Sequence, residues 1–428
     1  MPEKLAIDGG KPAVSDEIVK HSLNEPVFTE QDLQAGIDVL RSGKFMGRAG
    51  APQIAGLAEE WARYIGAKHC IVLNSGTAAL HAAVAAAGIG PGDEVITTPF
   101  SFLTSTTSIM YQNGIPIFAD IDPKTYNLDP ARIEEKITEK TKAILPVHIA
   151  GLPADMDRID AIAKKHGLIV IEDACQSHGA EYKGRKTGTL GDMAAFSLQW
   201  SKNLTTGADG GLMTTNNEEF ALKAEMLGRF GEIIKKDKPR TYNAYQLGWM
   251  YRSDEILTAI ARSRLKRLDE DNRLRRRNCE FLTEHLREIQ GVIPPYVPED
   301  RTHVYYLYLI RFSPEELGIE MPPRLFRQKV QEALSAEGVD IGLWGAQPIF
   351  KTTMFQVRQG YGKGCPWECP FGRGNIRYEE EDFPVTMRFM EDFAVLWSVQ
   401  APNGLELMEG YVEAFRKVFG NLEKILGL

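Results

Sequence analysis

Disulfide pairs, membrane spans, repeats and a basic excess are all missing from this chain, and each absence narrows what it can be. Its 428 residues carry five cysteines, a sparse and odd number that argues against a disulfide scaffold. No apolar run approaches the length of a membrane span. The opening MPEKLAIDGG has none of the hydrophobic core of a signal peptide, so the cytoplasm is the expected compartment. Lysine and arginine total 50 against 58 acidic residues, a formal charge of −8, which makes neither nucleic acid nor an anionic membrane an expected partner. The basic cluster RLRRRN at 273–278 reads as the solvated face of a long helix. There is no low-complexity tract and no fixed-period repeat.

What is present is an ordinary globular composition, 43% hydrophobic and 25% charged, in a chain long enough for two subdomains. Residues 1–28 read as an irregular arm broken by Gly9, Gly10, Pro12 and Pro26. Thr29 is a natural N-cap for a helix that Gly43 ends, and a second amphipathic helix covers 54–64. From 70 to about 215 short apolar runs (70–73, 94–97, 115–119, 142–147, 168–172) alternate with helical segments at 77–87, 101–111, 129–137 and 155–166. That alternation predicts an α/β domain with a mainly parallel sheet covered on both faces. Ligands of such sheets collect at the carboxyl ends of the strands. Residues 253 to about 290 read as one long charged helix, which PPYVP at 294–298 ends. The expected division is therefore an arm (1–28), a large domain (29–290) and a small α+β domain (291–428).

The segments that follow the strands hold the chemistry. NSGTAAL at 74–80 places Gly76 and Thr77 at a helix start whose free N–H groups suit phosphate, though a plain N-cap needs no ligand. Phe100 and Phe102 follow the second strand, where an aromatic face can stack on a flat ring or simply pack in the core. IEDACQSHG at 171–179 runs from apolar residues directly into Glu172 and Asp173. A carboxylate buried there needs a partner, either a protonated ring nitrogen of a cofactor or a cation of the protein. Gln176 and His178 follow at spacings that can reach the same pocket. Lys202 stands apart from the helical charge patterns, between an apolar run ending at Ser197 and the turn TTGADGG at 205–211. A lysine beside a phosphate cradle, an aromatic plate and a strand-end carboxylate can condense with an aldehyde cofactor. Together these are the parts that hold pyridoxal 5′-phosphate (PLP).

In order and spacing, these four motifs resemble the DegT/DnrJ/StrS family of sugar aminotransferases, from about residue 28 to 290 and more loosely beyond. The resemblance implies the fold-type I architecture of aspartate aminotransferase, PLP as cofactor, and a homodimer with its sites at the interface. It matches Lys202 to the lysine that bonds the cofactor and moves the proton, and Asp173 to the carboxylate on the pyridine nitrogen. It matches Gln176 to the residue near the ring hydroxyl, Phe102 to the stacking aromatic, and Gly76, Thr77 and Ser197 to phosphate contacts. A related dehydratase branch has histidine in place of the lysine, so Lys202 favours amino transfer. The donor implied is L-glutamate or L-glutamine, and the acceptor a nucleotide-linked keto-sugar or a ketocyclitol. Three stretches (5–12, 125–130 and 146–156) lean towards the cyclitol and aminohydroxybenzoate-synthase subgroup. The alternative class is a non-catalytic regulator that kept the fold, which has little need of both Lys202 and Asp173.

The chain departs from the family pattern in two places. GADGG at 207–211 replaces Gly-Glu-Gly-Gly, and Met250 stands where an asparagine reaches the neighbouring subunit's phosphate. Arg252 is the candidate substitute for that contact, unless it pairs with Glu255. His148, at a strand end, is a candidate substrate contact. Cys365 and Cys369 lack a second Cys/His pair and do not read as a zinc site. The proline-rich loop 364–374 around them reads as a cover for the acceptor.

Overall fold

In the computed structural model, residues 4–22, 26–45, 51–234 and 239–427 are described. The central sheet has seven strands: β1 (His69–Leu73), β2 (Glu94–Thr97), β3 (Ile115–Phe118), β4 (Thr141–Leu145), β5 (Ile169–Asp173), β6 (Met193–Ser197) and β7 (Gly211–Thr215). Their order is β1-β7-β6-β5-β4-β2-β3. All neighbours are parallel except at β7, which runs antiparallel to both β1 and β6. The apolar runs read from the sequence are all strands, and β7 is an addition to them. Its GLMTT is buried at every position, as a strand inside a two-faced sheet must be.

The helices follow local chemistry. After the short α1 (Asp16–His21), α2 (Glu30–Ser42) opens on a capping box: Asp32 N donates to Thr29 Oγ1 (3.4 Å) and Thr29 N to Asp32 Oδ2 (2.9 Å). Gly43 closes it in the left-handed region, φ 64°. Then come α3 (Pro52–Ile65), α4 (Gly76–Ala86), α5 (Thr104–Met110), α6 (Met156–His166) and α7 (Glu218–Gly228). α4 is alanine-rich, GTAALHAAVAA, and almost wholly buried against the sheet. No helix of the described residues is long and apolar enough to cross a membrane.

Four expectations are corrected. The arm is not wholly irregular: Ser15 Oγ caps α1 by accepting from Ile18 N, and Leu5 and Val14 pack in the core of the C-terminal sheet; residues 1–3 and 23–25 lie outside the described residues. The segment 129–137 forms two 3₁₀ turns, Pro130–Arg132 and Glu134–Lys136, in place of an α-helix. The long helix is two, α8 (Glu255–Leu265) and α9 (Leu268–Leu286). Arg267 breaks it at φ −118°, ψ 6°, held out of line by a bidentate pair with buried Asp32 at 2.9 and 2.7 Å.

The fourth concerns loop 364–374, which braces the far end of the sheet instead of covering the strands' carboxyl ends. Trp367 is fully buried and donates to Tyr378 Oη (2.8 Å), which in turn donates to Pro116 O (2.7 Å) in β3. Arg373 Nε bonds buried Glu94, the first residue of β2, at 2.5 Å. Cys365 and Cys369 are free thiols, with Cys365 Sγ 3.6 Å from Asn113 Oδ1.

The C-terminal region builds an antiparallel sheet from β8 (Val292–Ile293), β9 (Tyr308–Phe312), β10 (Ile341–Gly342) and β11 (Phe393–Leu396), in the order β8-β9-β11-β10. Helices α10 (Pro323–Ala336), α11 (Pro384–Asp392) and α12 (Leu405–Phe419) pack with it.

Candidate active site

The turn after β6 is fixed from inside and outside. Leu198 N donates to Gly210 O (2.7 Å) and Thr206 N to Leu198 O (3.0 Å), closing the turn. Within it Gln199 O accepts from Lys202 N (2.9 Å), and Gln199 Oε1 accepts from Ser201 N (3.0 Å) and Oγ (2.7 Å). Outside, buried Asn203 donates from Nδ2 to Asn272 Oδ1 and to Val304 O, both at 2.9 Å. Lys202 is therefore aimed by its flanks. Its Nζ lies 3.9 Å from the centroid of the Tyr306 ring, a cation–π contact. Tyr306 Oη is 3.3 Å from Ser201 Oγ. Burial alone would raise the pKa of that hydroxyl. The Lys202 ammonium, hydrogen bonds with Ser201 and Lys202, and Arg275 outweigh it and bring the pKa down.

Across the sheet, Ser75 Oγ accepts from Ala78 N (3.1 Å) and caps α4. This leaves the N–H groups of Gly76 and Thr77 at the helix start without intrahelical acceptors. A Cβ at Gly76 would lie 2.6 Å from Ser197 Cβ, so only glycine lets the helix terminus close on the end of β6. Gly211 is equally constrained, since a Cβ there would lie 2.1 Å from Ser75 O. Gly76, Thr77 and Ser197 are thus brought together from positions about 120 residues apart in sequence.

The two carboxylates that end β5 point to different uses. Glu172 is sealed into the fold: it accepts from Gly188, Leu190 and Gly191 N–H at 2.7–2.8 Å and from His148 Nε2 at 2.9 Å. Because His148 Nδ1 accepts from Ala154 N (3.0 Å), its proton is on Nε2. His148 is fully buried; its surroundings replace the expected substrate role with a structural one. Asp173, also buried, accepts from Ser105 Oγ (2.6 Å) and Cys175 N (3.2 Å) and has no cationic partner among the described residues. Burial pushes the Cys175 thiol up; Asp173 pushes it the same way and Lys202 opposes them, so both charges act on one small volume.

The other candidates fall around this centre. Gln176 is buried, its Oε1 accepting from Ala150 N (2.7 Å). His178 is buried between Trp61 and Phe196, with no ordinary hydrogen bond at either ring nitrogen, and burial lowers its pKa to about 3. It is therefore neutral. Phe100 packs into the core against Phe389 and Phe393, whereas Phe102 is 58% exposed at the mouth of the β2–α5 turn. Met250 is half exposed, its backbone bridged to Arg229. Arg252 does not pair with Glu255, whose carboxylate caps α3 through Gln53 and Ile54 N–H. Ser105, Asn203 and Tyr306 went unnoticed in the sequence. Only Ser105 carried a signal, standing in SFLTS directly after β2.

The β6 turn, the start of α9 and the C-terminal sheet enclose a cavity of about 690 Å³ that Lys202 and Tyr306 line.

Comparison with known proteins gives the family and the fold. The family model described as the DegT/DnrJ/EryC1/StrS aminotransferase family matches residues 26–367. An L-glutamine:2-deoxy-scyllo-inosose aminotransferase of Streptoalloteichus tenebrarius is 37% identical over 354 residues, 79% of this chain and 80% of that one. GDP-perosamine synthase of Caulobacter vibrioides is 41% identical over 291 residues, 68% and 74% of the two chains. Among solved structures, a 3-amino-5-hydroxybenzoic acid synthase superposes with a TM-score of 0.81 at 26% identity, covering 94% of this chain and 99% of that one. With the Lys202 turn and the lone Asp173 carboxylate in place on a mainly parallel sheet, this chain belongs to the DegT/DnrJ/EryC1/StrS aminotransferase family of PLP enzymes.

Proposed function

We propose that the chain moves an amino group from L-glutamine or L-glutamate to the keto carbon of a sugar, either nucleotide-linked or a cyclitol. The observation that carries this reading is that Lys202 and Asp173 both act on Cys175, while Asp173 is a buried carboxylate left without a cation among the described residues. A buried anion of that kind calls for a positive partner, and a protonated pyridine ring fits. The close approach of Gly76 to Ser197, which a single Cβ would fill, fits a phosphate held on main-chain N–H groups. Bound PLP supplies an electron sink beside the carbon that gains or loses a proton.

The chain's own residues do the rest. Lys202 Nζ would bond the cofactor's aldehyde carbon and carry the proton. Asp173, oriented by Ser105, would keep the ring nitrogen charged. Gly76 and Thr77 N–H with Ser197 Oγ would hold the phosphate, Phe102 would offer a ring face, and Gln176 would serve the ring hydroxyl. The names of relatives that use glutamine with a scyllo-inosose support the donor and the cyclitol acceptor. GDP-perosamine synthase supports a nucleotide-linked one.

In this reading residues 29–290 form the cofactor domain, 291–428 the small domain and 1–28 an arm. The exposed Tyr242, Tyr245, Leu247 and Met250 support a homodimer, because Asn74 N donates to Tyr251 O and sets this apolar stretch beside the phosphate cradle. Five free thiols support the cytoplasm. The test is spectroscopic and kinetic. Purified protein is yellow with PLP, Lys202→Ala loses the band and the activity together, and a panel of keto-sugars and ketocyclitols with either donor identifies the acceptor. A protein that stays colourless with added PLP overturns the proposal.

A further inference from the structure

Arg275 faces the same cavity as Lys202, and no carboxylate answers its charge among the described residues. Its Nη1 donates only to neutral oxygens, Asn203 Oδ1 and, at 3.4 Å, Tyr305 O. Among the described residues no carboxylate pairs with it, and none accepts from Nε or Nη2. Those atoms are nonetheless not sealed off, and Arg275 lines the cavity. Its neighbour on the same wall is different: Arg267 is held by Asp32 and also lies 3.4 Å from Asp271. Asp271 acts on Arg275 only at a distance, and burial is the main influence on that guanidinium, lowering its pKa. Leaving a half-buried cation without a carboxylate is unfavourable unless a ligand completes it.

The aim of the group is fixed as well. The Asn203 amide is locked by Asn272 and Val304, so its Oδ1 is the atom that meets Arg275. Asn203 adjoins Lys202 in sequence, and both Lys202 and Arg275 act on the Tyr306 hydroxyl. Four cations line the cavity (Lys202, Arg264, Arg267, Arg275) against Asp271 alone, in a chain whose net charge is −8. Trp344 and Trp397 add flat apolar wall to the same cavity.

We propose that this cavity is an oxyanion subsite, in which Arg275, aimed by Asn203 and flanked by Tyr306, binds a carboxylate or phosphate carried by a substrate whose reacting atom meets Lys202. It rests on the aminotransferase reading of Lys202. Two sources carry such an oxyanion, the amino-acid donor and a nucleotide-linked acceptor, and binding of model anions separates them.

Glutarate and uridine 5′-diphosphate are titrated calorimetrically into the PLP-loaded parent, Arg275→Gln and Arg275→Lys. At least one probe binds the parent and weakens about tenfold or more in Arg275→Gln, the usual size for a lost charge-assisted hydrogen bond. Arg275→Lys regains part of the loss, and the cofactor's absorption band is the same in all three proteins. Weakening of glutarate assigns the subsite to the donor's carboxylate, and weakening of the diphosphate assigns it to the acceptor. Equal affinities in the parent and Arg275→Gln, or no binding of either probe by the parent, overturn the proposal. The same titrations on cofactor-free protein keep Arg275 readable if the parent takes up no PLP, the result that instead refutes the aminotransferase reading.

Discussion

Gly76→Ala tests the cradle with a single methyl group. Gly76 is the first residue of α4 and is not in the left-handed region, so alanine meets no backbone strain there. Helix propensity even favours it, by at most about 1 kcal/mol and less at a helix terminus. Space decides the sign. The new Cβ would lie 2.6 Å from Ser197 Cβ and 3.0 Å from Ser197 Cα and Oγ, where carbon atoms in contact sit roughly 3.5–4.0 Å apart. The start of α4 and the end of β6 must separate by about 1 Å, and overpacking of this kind costs about 1–3 kcal/mol. The net expectation is a loss of about 1–2 kcal/mol in urea denaturation of the cofactor-free protein. Because the two elements that separate are the two walls of the cradle, PLP affinity followed by absorbance falls more steeply than stability does. Adding Ser197→Gly removes the worst contact and restores part of the stability while leaving affinity low. A Gly76→Ala protein as stable as the parent, with unchanged PLP affinity, would refute the cradle as drawn.

Three further perturbations address single contacts. Burial opposes ionisation of Asp32, but hydrogen bonds from Arg267, Thr29 N–H and Ser263 hold its pKa at about 2 against an ordinary 3.8. A carboxylate with a depressed folded-state pKa contributes stability that is present above about pH 4 and lost as pH falls towards 2. Arg267→Gln therefore flattens the acid limb of a stability–pH curve, and an unaltered limb refutes the assignment. His148→Ala leaves Glu172 with its three N–H donors but without the imidazole; it lowers stability by about 1–3 kcal/mol, and the KM for every acceptor tried stays near the parent value. Deleting residues 364–374 removes buried Trp367 and strips Glu94 of Arg373, so it lowers the melting temperature sharply. A stable deletion variant with a raised acceptor KM would restore the covering role read from the sequence.

The parts of the site that could be read from the sequence share one property: each acts within a few residues of its own strand end. Asp173 closes β5, Gly76 and Thr77 open the helix after β1, and Lys202 sits in the turn after β6. An apolar strand followed by a polar residue is visible locally, and the parallel sheet brings those ends to one edge without further information. Ser105, Tyr306 and Arg275 contribute through partners 68 to 105 positions away; apart from the place of Ser105 after β2, no local pattern distinguishes them from other serines, loop tyrosines or helical arginines. The misread elements fail for the same reason. The single long helix breaks because Asp32 reaches Arg267 across 235 residues. The proline-rich stretch 364–374 looked like a lid because composition reports a stiff loop and not which end of the sheet receives it.

That distinction bears on substrate choice. The residues proposed to hold the cofactor stand at or just beyond strand ends of one sheet, so their places are set once the sheet forms. The residues turned towards the cavity on the Tyr306 side come from elsewhere: Arg275 from α9, Tyr306 from the approach to β9, Trp344 and Trp397 from the C-terminal sheet's loops. Tyr306 and Arg275 are tied to the Lys202 turn through Ser201 and Asn203, but Trp344 and Trp397 come from outside it, so exchanging either tryptophan alters what enters without disturbing how the amine and carboxylate face each other. The outcome separates cleanly in a pair of variants. Trp397→Ala shifts the acceptor profile across the keto-sugar panel and leaves the cofactor's absorption band in place, whereas Asp173→Asn weakens the cofactor itself and lowers the rate with every acceptor alike. If Trp397→Ala instead loses the cofactor, the cavity and the cofactor site are one unit, and the division of labour between sheet ends and surrounding elements is wrong.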